Sequence, residues 1–360
     1  MNSVSEKLQQ FGWDEWFDAK AHEKGLAERH LARVVAVDRD QLLVIDESGE
    51  FRAKLAGRFL YTIDQPGDFP CVGDWVSVQY DSSDMFGMIH DVMPRKSFLR
   101  RKAAGDVIDY QMIAANVDVA LIVQSCHFDF NVNRLERYLV MVRNGHVQPV
   151  ILLTKTDLVT PETLQQLLDE IRSAGIHTEV IVLSNITGEG VDTVHELLQP
   201  GKTYCLLGSS GVGKSTLINQ LSGCHILETS VVSGTGEGRH TTVRRELIRL
   251  DNGAMLIDNP GVREFGLLGA EEGIGGSFAD IYELATKCRY SDCSHSNEPG
   301  CAVLSALEEG RLQQGHYQNF IKLRSESEFH DLSYLEKRKK DKAFGRYISS
   351  VKKDMGIKRR

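Results

Sequence analysis

The stretch Tyr204-Cys-Leu-Leu-Gly208-Ser209-Ser210-Gly211-Val212-Gly213-Lys214-Ser215-Thr216 decides how the rest of the chain is read. Apolar residues of strand length run into the pattern G-x-x-x-x-G-K-[ST]. Leu217, Ile218 and Leu221 then recur at helical spacing. Glycines at these positions let backbone N–H groups curl around phosphate oxygens, and the positive end of the following helix adds to the attraction. In such a loop Lys214 reaches the β- and γ-phosphates, and the Ser215 hydroxyl binds Mg²⁺.

Downstream, Asp258-Asn-Pro-Gly261 follows the apolar run Met255-Leu-Ile. A carboxylate at that strand end can hold Mg²⁺ through water, and the Gly261 N–H can sense a γ-phosphate. Between the two motifs lies Gly234-Thr-Gly-Glu-Gly-Arg-His240-Thr241-Thr242, a glycine-rich loop in which Thr241 or Thr242 can supply a second hydroxyl to Mg²⁺. Upstream stand Thr154-Lys155-Thr156-Asp157 and Ser184-Asn185-Ile-Thr-Gly-Glu-Gly190. A strand-end aspartate such as Asp157 accepts from both N1–H and the exocyclic amine of guanine, a pair that adenine cannot make. Lys155 then lies over the base plane, and the Ser184-Asn185 loop closes over the O6 edge. The base-reading motifs therefore precede the phosphate loop.

From Asp118 onward, strands such as Val119-Ala-Leu-Ile-Val and Pro149-Val-Ile-Leu-Leu alternate with helices marked by Leu135, Tyr138, Leu139 and Val142, and by Leu164, Leu167, Leu168 and Ile171. This predicts a doubly wound, mostly parallel sheet, with every motif at a strand end where ligands bind. Before it, five or so short β-rich runs broken by turn residues predict a small barrel, OB-like or SH3-like. The first thirty residues predict a helical extension whose apolar side carries Leu8, Phe11, Trp13, Trp16 and Phe17. Behind the sheet, Cys288-x4-Cys293-x-His295-x5-Cys301 supplies three thiolates and an imidazole within fourteen residues, a closed Cys₃His set suited to one structural Zn²⁺. The fold class expected is multidomain: an N-terminal β-barrel (OB-like), a central α/β P-loop domain in permuted order, and a C-terminal helical zinc-binding domain. The expected bounds are 1–30 for the extension, 31–95 for the barrel, 96–272 for the α/β domain, 273–345 for the zinc domain and 346–360 for a basic tail.

The motif order resembles the circularly permuted GTPases. The barrel in front and the cysteine cluster behind narrow the resemblance to the RsgA (YjeQ/YloQ) family of small ribosomal subunit biogenesis GTPases. Val72-Gly-Asp-Trp-Val76, Gln111-Met-Ile-Ala-Ala-Asn-Val-Asp118 and Gly238-Arg-His-Thr-Thr242 are similar to segments of that family, and the likeness spans about residues 30 to 325. Thr154 stands where the usual motif has Asn. The resemblance implies GTP and GDP as ligands, the same four zinc ligands, and the small (30S) ribosomal subunit with its 16S rRNA as partner. After Asp-x-x-Gly many GTPases place a water-orienting glutamine, but here that residue is Val262. Hydrolysis is then expected to be slow alone and faster on the subunit. Lys214 is the expected catalytic cation, and His240 the in-chain candidate for handling the water.

Composition fits this picture. The chain of 360 residues is 41% hydrophobic and 26% charged, as in water-soluble proteins, and its apolar runs are too short to cross a bilayer. No secretory signal opens it, so a cytoplasmic monomer away from the membrane is expected. The seven cysteines are odd in number, which argues against a disulfide framework. A net charge of -8 hides eleven Lys/Arg against four Asp/Glu between Asp331 and Arg360, and a run Arg95-Lys-Ser-Phe-Leu-Arg-Arg-Lys102. Such basic segments suit a phosphate backbone, although solvated ends are the plainer reading. Two other functions compete: an ATP-using P-loop enzyme, and a nucleotide-stabilised zinc/OB RNA-binding module without significant turnover.

Overall fold

The computed structural model describes residues 6–27, 29–38, 41–63, 66–81, 86–102, 110–223, 245–258 and 270–331. Strands β1 (His30–Val37), β2 (Leu42–Asp46), β3 (Gly49–Leu55), β4 (Trp75–Asp81) and β5 (Phe86–Val92) pair in the order 1-2-3-5-4, and β4 returns to β1. The β3–β5 pair is parallel and the others are antiparallel. This is a closed five-stranded barrel of OB-like connectivity. Alternate residues point inward, so Ala32, Val34, Leu42, Val44, Phe51, Ala53, Val76, Val78 and Ile89 form its core. β1 is buried on both faces because the N-terminal extension covers its outer side. There Asp14 caps the helix Glu15–Glu23, and Trp13 meets Trp75 edge-on at 4.8 Å.

A two-stranded ribbon, β6 (Phe98–Lys102) with β7 (Tyr110–Ala115), leads from the barrel into the α/β domain. The remaining strands are β8 (Val119–Ser125), β9 (Gln148–Thr154), β10 (Val180–Val182), β11 (Thr203–Leu207), β12 (Glu246–Arg249) and β13 (Met255–Asp258). They lie in the order 10-9-8-11-13-12, all parallel except β12. Along β8 successive side chains serve opposite faces. Val119, Leu121 and Val123 join one apolar cluster, while Ala120 and Ile122 join the other. Burial on both faces is the mark of a parallel sheet covered by helices. β12 also touches β1 through the Ala36–Glu246 pair, so sheet and barrel are continuous.

Helices Glu271–Ser277, Ala279–Ala285, Ala302–Glu308 and Gln314–Asp331 form the C-terminal part. The first and last of them pack on the helix Val132–Asn144. Gly273 permits the closest approach, since a Cβ there would stand 2.0 Å from the Val140 carbonyl oxygen. Among the described residues no helix is long and apolar enough to cross a membrane.

The basic run of the linker is partly consumed by these joints. Arg95 makes a two-pronged bond to Asp74 and also donates to the Gly67 and Phe69 carbonyls. Lys96 pairs with Asp14. Farther along, Arg100 lies over the Phe98 ring and Arg101 donates to Gln111, and the tail 346–360 lies outside the described residues.

Candidate nucleotide site and metal centre

Three loops at one end of the sheet are pinned together by side chains. Thr154, at the end of β9, is fully buried, and its hydroxyl donates to the Val212 carbonyl at 2.6 Å, with the Gln124 carbonyl 3.2 Å away. The residue in place of the expected Asn is therefore a tie between the base loop and the phosphate loop. Lys155 takes φ 60° and turns the chain into the short helix Thr156–Leu158. Asp157 accepts the Ser184 hydroxyl at 2.5 Å, and Ser184 Oγ accepts the Ile186 and Thr187 N–H groups. Asn185 Nδ2 donates to the Gly213 carbonyl at 3.1 Å, and Gln220 Nε2 donates to the Asn185 carbonyl at 2.5 Å. The fold thus brings Thr154, Asp157, Ser184, Asn185, Val212 and Gly213 into one constellation.

The phosphate loop leaves β11 and enters the helix Lys214–Leu221. Gly208 has φ 150°, and a Cβ there would meet the Val123 carbonyl oxygen at 2.3 Å. Gly213 has φ 100°, with Asn185 Nδ2 2.7 Å from the same notional atom. Neither position accepts a side chain. Ser209, Ser210 and Gly211 form the half-buried outer turn, and Ser215 and Thr216 sit in the first helical turn. Lys214 is buried, and its Nζ donates to the Gly208 and Ser209 carbonyls at 2.8 and 2.6 Å. Burial pulls its pKa down to about 8, against the pull of Asp258 and Asp129. A buried ammonium at the start of a helix that follows a glycine-rich loop suits an anion. Asp258, the last residue of β13, is buried alongside. His240, Thr241, Thr242, Gly261 and Val262 lie outside the described residues.

Asp129 was not singled out by the motifs. It follows β8, the strand beside β11, and Arg134 Nη2 stands 2.8 Å from its carboxylate. Burial raises its pKa, while Arg134, the Ser209 hydroxyl and Lys214 oppose the rise, which sets it against the phosphate loop. The only sequence signal was an acid between a strand end and the Asn131 cap of the next helix.

The four candidate metal ligands converge. The ligand atoms of Cys288, Cys293, His295 and Cys301 all lie within 4.8 Å of one another. Cys288 and Cys301 Sγ are 3.9 Å apart, and His295 Nδ1 is 3.6 and 3.5 Å from them. A tetrahedral Zn²⁺ with bonds of about 2.3 Å to sulfur would separate its thiolates by about 3.8 Å, so the donor set and spacing fit. Backbone N–H groups of Ala302 and Leu304 point at the Cys288 and Cys301 sulfurs, as thiolates require. Glu298 ties the knuckle by accepting from Ser294, Ser296 and Asn297, and Tyr317 holds the His295 carbonyl.

A mostly parallel sheet with a phosphate loop, whose base-side strands come first in the chain, defines a circularly permuted P-loop GTPase. The sequence model of the RsgA GTPase family matches residues 92–268. The small ribosomal subunit biogenesis GTPase RsgA 1 of Bacteroides thetaiotaomicron is 37% identical over 98% of this chain and 99% of its own length. The RsgA 2 protein of Lactiplantibacillus plantarum is 41% identical over 88% of this chain and 89% of its own. Among solved structures, YjeQ from Thermotoga maritima superposes with a TM-score of 0.61 at 25% identity, covering 82% of this chain and 97% of that one. YloQ, described as a circularly permuted GTPase, gives 0.59 at 25% identity, covering 85% and 98%. The chain belongs to the RsgA family of small ribosomal subunit biogenesis GTPases. That membership makes it a GTP hydrolase and disfavours both the ATP-using enzyme and the module without turnover.

Proposed function

We propose that the protein binds the maturing small ribosomal subunit in its GTP form, hydrolyses GTP slowly alone and faster on the subunit, and then leaves. The triple pinning of Thr154 to Val212, Asn185 to Gly213 and Asp157 to Ser184 supports this reading, because it holds the candidate base-reading loops beside the phosphate loop. In this reading Asp157 accepts guanine N1–H and the exocyclic amine, and Lys155 and Thr156 flank the base. The 208–216 loop wraps the phosphates, with Lys214 neutralising charge that builds on the β–γ bridge. Ser215, Asp258 and Thr241 or Thr242 would hold Mg²⁺, which would neutralise phosphate charge. Gly261 senses the γ-phosphate. With Val262 unable to orient water, His240 takes that task on the subunit.

Cys288, Cys293, His295 and Cys301 would hold one structural Zn²⁺. Its chemistry is to bind the four ligands and fix the knuckle. The barrel and the zinc domain contact 16S rRNA, and the protein acts as a cytoplasmic monomer. The domain bounds 31–95, 96–272 and 273–345 follow the same reading. GTP turnover with and without purified small subunits tests it, beside Lys214→Ala. Expected are strong stimulation of the wild type and none of the variant. A wild type that turns over no faster with subunits overturns it.

A further inference from the structure

The loop between β8 and the helix Val132–Asn144 leaves the sheet beside the phosphate loop, because β8 and β11 are parallel neighbours and Gly208 packs against Val123. It is braced at both ends. The Gln124 side chain donates to the Asn131 carbonyl at 3.1 Å and accepts the Asn131 N–H at 3.0 Å. Ser125 Oγ accepts the His127 N–H and donates to the His127 carbonyl. The Cys126 N–H donates to the Thr154 carbonyl, and Arg134 holds both the carbonyl and the carboxylate of Asp129.

On this frame stands Phe128, 94% exposed and with φ 68°. Two unfavourable choices coincide there. A bulky side chain in the left-handed region strains the backbone, and a phenyl ring in water forgoes burial. Glycine or asparagine would relieve both. The surrounding bonds over-determine the conformation, which is how strained residues persist where they serve a contact. The ring lies 3.7 Å from that of His127, so two aromatic groups stand together. Of their neighbours, Ser125, Asp129, Asn131 and Arg134 are polar, while Cys126, Phe130 and Val132 pack toward the core, so the loop offers little apolar groove for an aliphatic group. A stacking base needs none, since its flat face is the contact.

We propose that Phe128, flanked by His127, stacks on an unpaired base of ribosomal RNA and docks the subunit at the edge of the phosphate loop. This rests on the reading of the protein as a subunit-stimulated GTPase. It places an RNA contact on the GTPase domain itself, one residue from Asp129, besides the barrel and the zinc domain.

The test uses the full-length, zinc-loaded protein with a non-hydrolysable GTP analogue. Binding to purified small subunits is measured by co-sedimentation, and each variant's stimulated turnover is compared with its own rate alone. Phe128→Ala should weaken binding by about ten-fold or more, the loss of one base stack. Phe128→Trp should bind within about three-fold of the wild type, and Phe128→Leu should behave as Ala. Phe128→Gly should lose binding while raising the melting temperature, which separates a lost contact from a damaged fold. Leu binding as well as Phe would mean an apolar protein pocket and would overturn base stacking. Wild-type binding by Phe128→Ala would sink the proposal and leave the GTPase reading intact. A wild type that is neither bound nor stimulated removes both.

Discussion

The α/β domain is held at two joints built from opposite materials. At the barrel, Arg33 is buried among neutral partners. It donates to the carbonyls of Phe11, Gly73 and Asn116 and to the Thr203 hydroxyl, touches Met255 Sδ, and lies over the Trp75 ring. Burial lowers its pKa to about 10, leaving it charged at neutral pH. One guanidinium thus fastens the N-terminal extension, barrel, linker and sheet. At the C-terminal joint the partners are charged. Glu136 and Asp280 flank His316 at 2.5 and 3.2 Å, Asn319 donates to Glu136, and Arg137 grips Glu326 with two bonds of 2.7 Å. Bonds from Arg33 to neutral acceptors respond little to pH or salt, whereas ion pairs respond to both. The zinc domain's joint is therefore the more sensitive one, although Arg95 and Asp74 also brace the barrel side.

The largest effect should come from Arg33→Met, which strands four buried acceptors at once. We expect a loss of about 3 kcal/mol or more in urea unfolding, unchanged between low and high salt. A smaller loss than that of Glu136→Gln would reverse the comparison.

Next comes pH. His316 is raised from its ordinary 6.5 to about 9; burial opposes the rise, and bonds and charge from Asp280 and Glu136 more than overcome it. A raised histidine stabilises the fold fully below its unfolded pKa, and that contribution is lost as pH climbs through the folded value. Hydrogen-exchange protection of the helix Gln314–Asp331 should thus fall between about pH 6.5 and 9 by on the order of 2 kcal/mol, while the barrel strands keep theirs. Glu136→Gln should remove about 2 kcal/mol at pH 7 and flatten much of that slope.

The smallest effect belongs to Arg137→Ala. Its pair is about one-fifth exposed, so we expect roughly 1 kcal/mol, shrinking in 0.5 M salt. Calorimetry at two salt concentrations measures it.

Neither joint was legible in the sequence, although the motifs were. The phosphate loop and its strand–helix setting could be read because their chemistry is local. Arg33 sits in Ala32-Arg-Val-Val-Ala-Val, where alternation marks it as a solvent-side residue. Only the N-terminal extension, folding back over β1, turns that side inward. The helix Val132–Asn144 showed one apolar face, Leu135, Tyr138, Leu139 and Val142, yet Glu136, Val140 and Met141 are buried too because the zinc domain covers the other side. Conversely, Leu164, Leu167 and Leu168 keep partial exposure on the helix Pro161–Ser173, where Ile171 alone is buried. The choice between OB-like and SH3-like barrels turned on the parallel β3–β5 pair, a non-local contact that no short stretch encodes. Asp129 stayed hidden for the same reason, since its meaning comes from a loop eighty residues later in the chain.

The continuous sheet has a consequence for how the chain is made. β1 to β5 and β8 to β11 leave the synthetic machinery before β12 and β13 exist, yet in space the β12–β13 hairpin lies between β11 and β1. The β13-facing edge of β11 is therefore unpaired until that hairpin fills the slot beside it, whereas β1 already pairs with β2 and β4 and meets β12 only at Ala36. Paired edges do not recruit foreign strands, but waiting ones can. The buried Arg33 clamp, which joins extension, barrel and linker across that slot, reaches Thr203 and Met255 on both sides of the β11–β13 seam. Arrival of that hairpin thus completes the clamp, and assembly of the sheet, though not of the C-terminal helices, ends at the strand that carries Asp258.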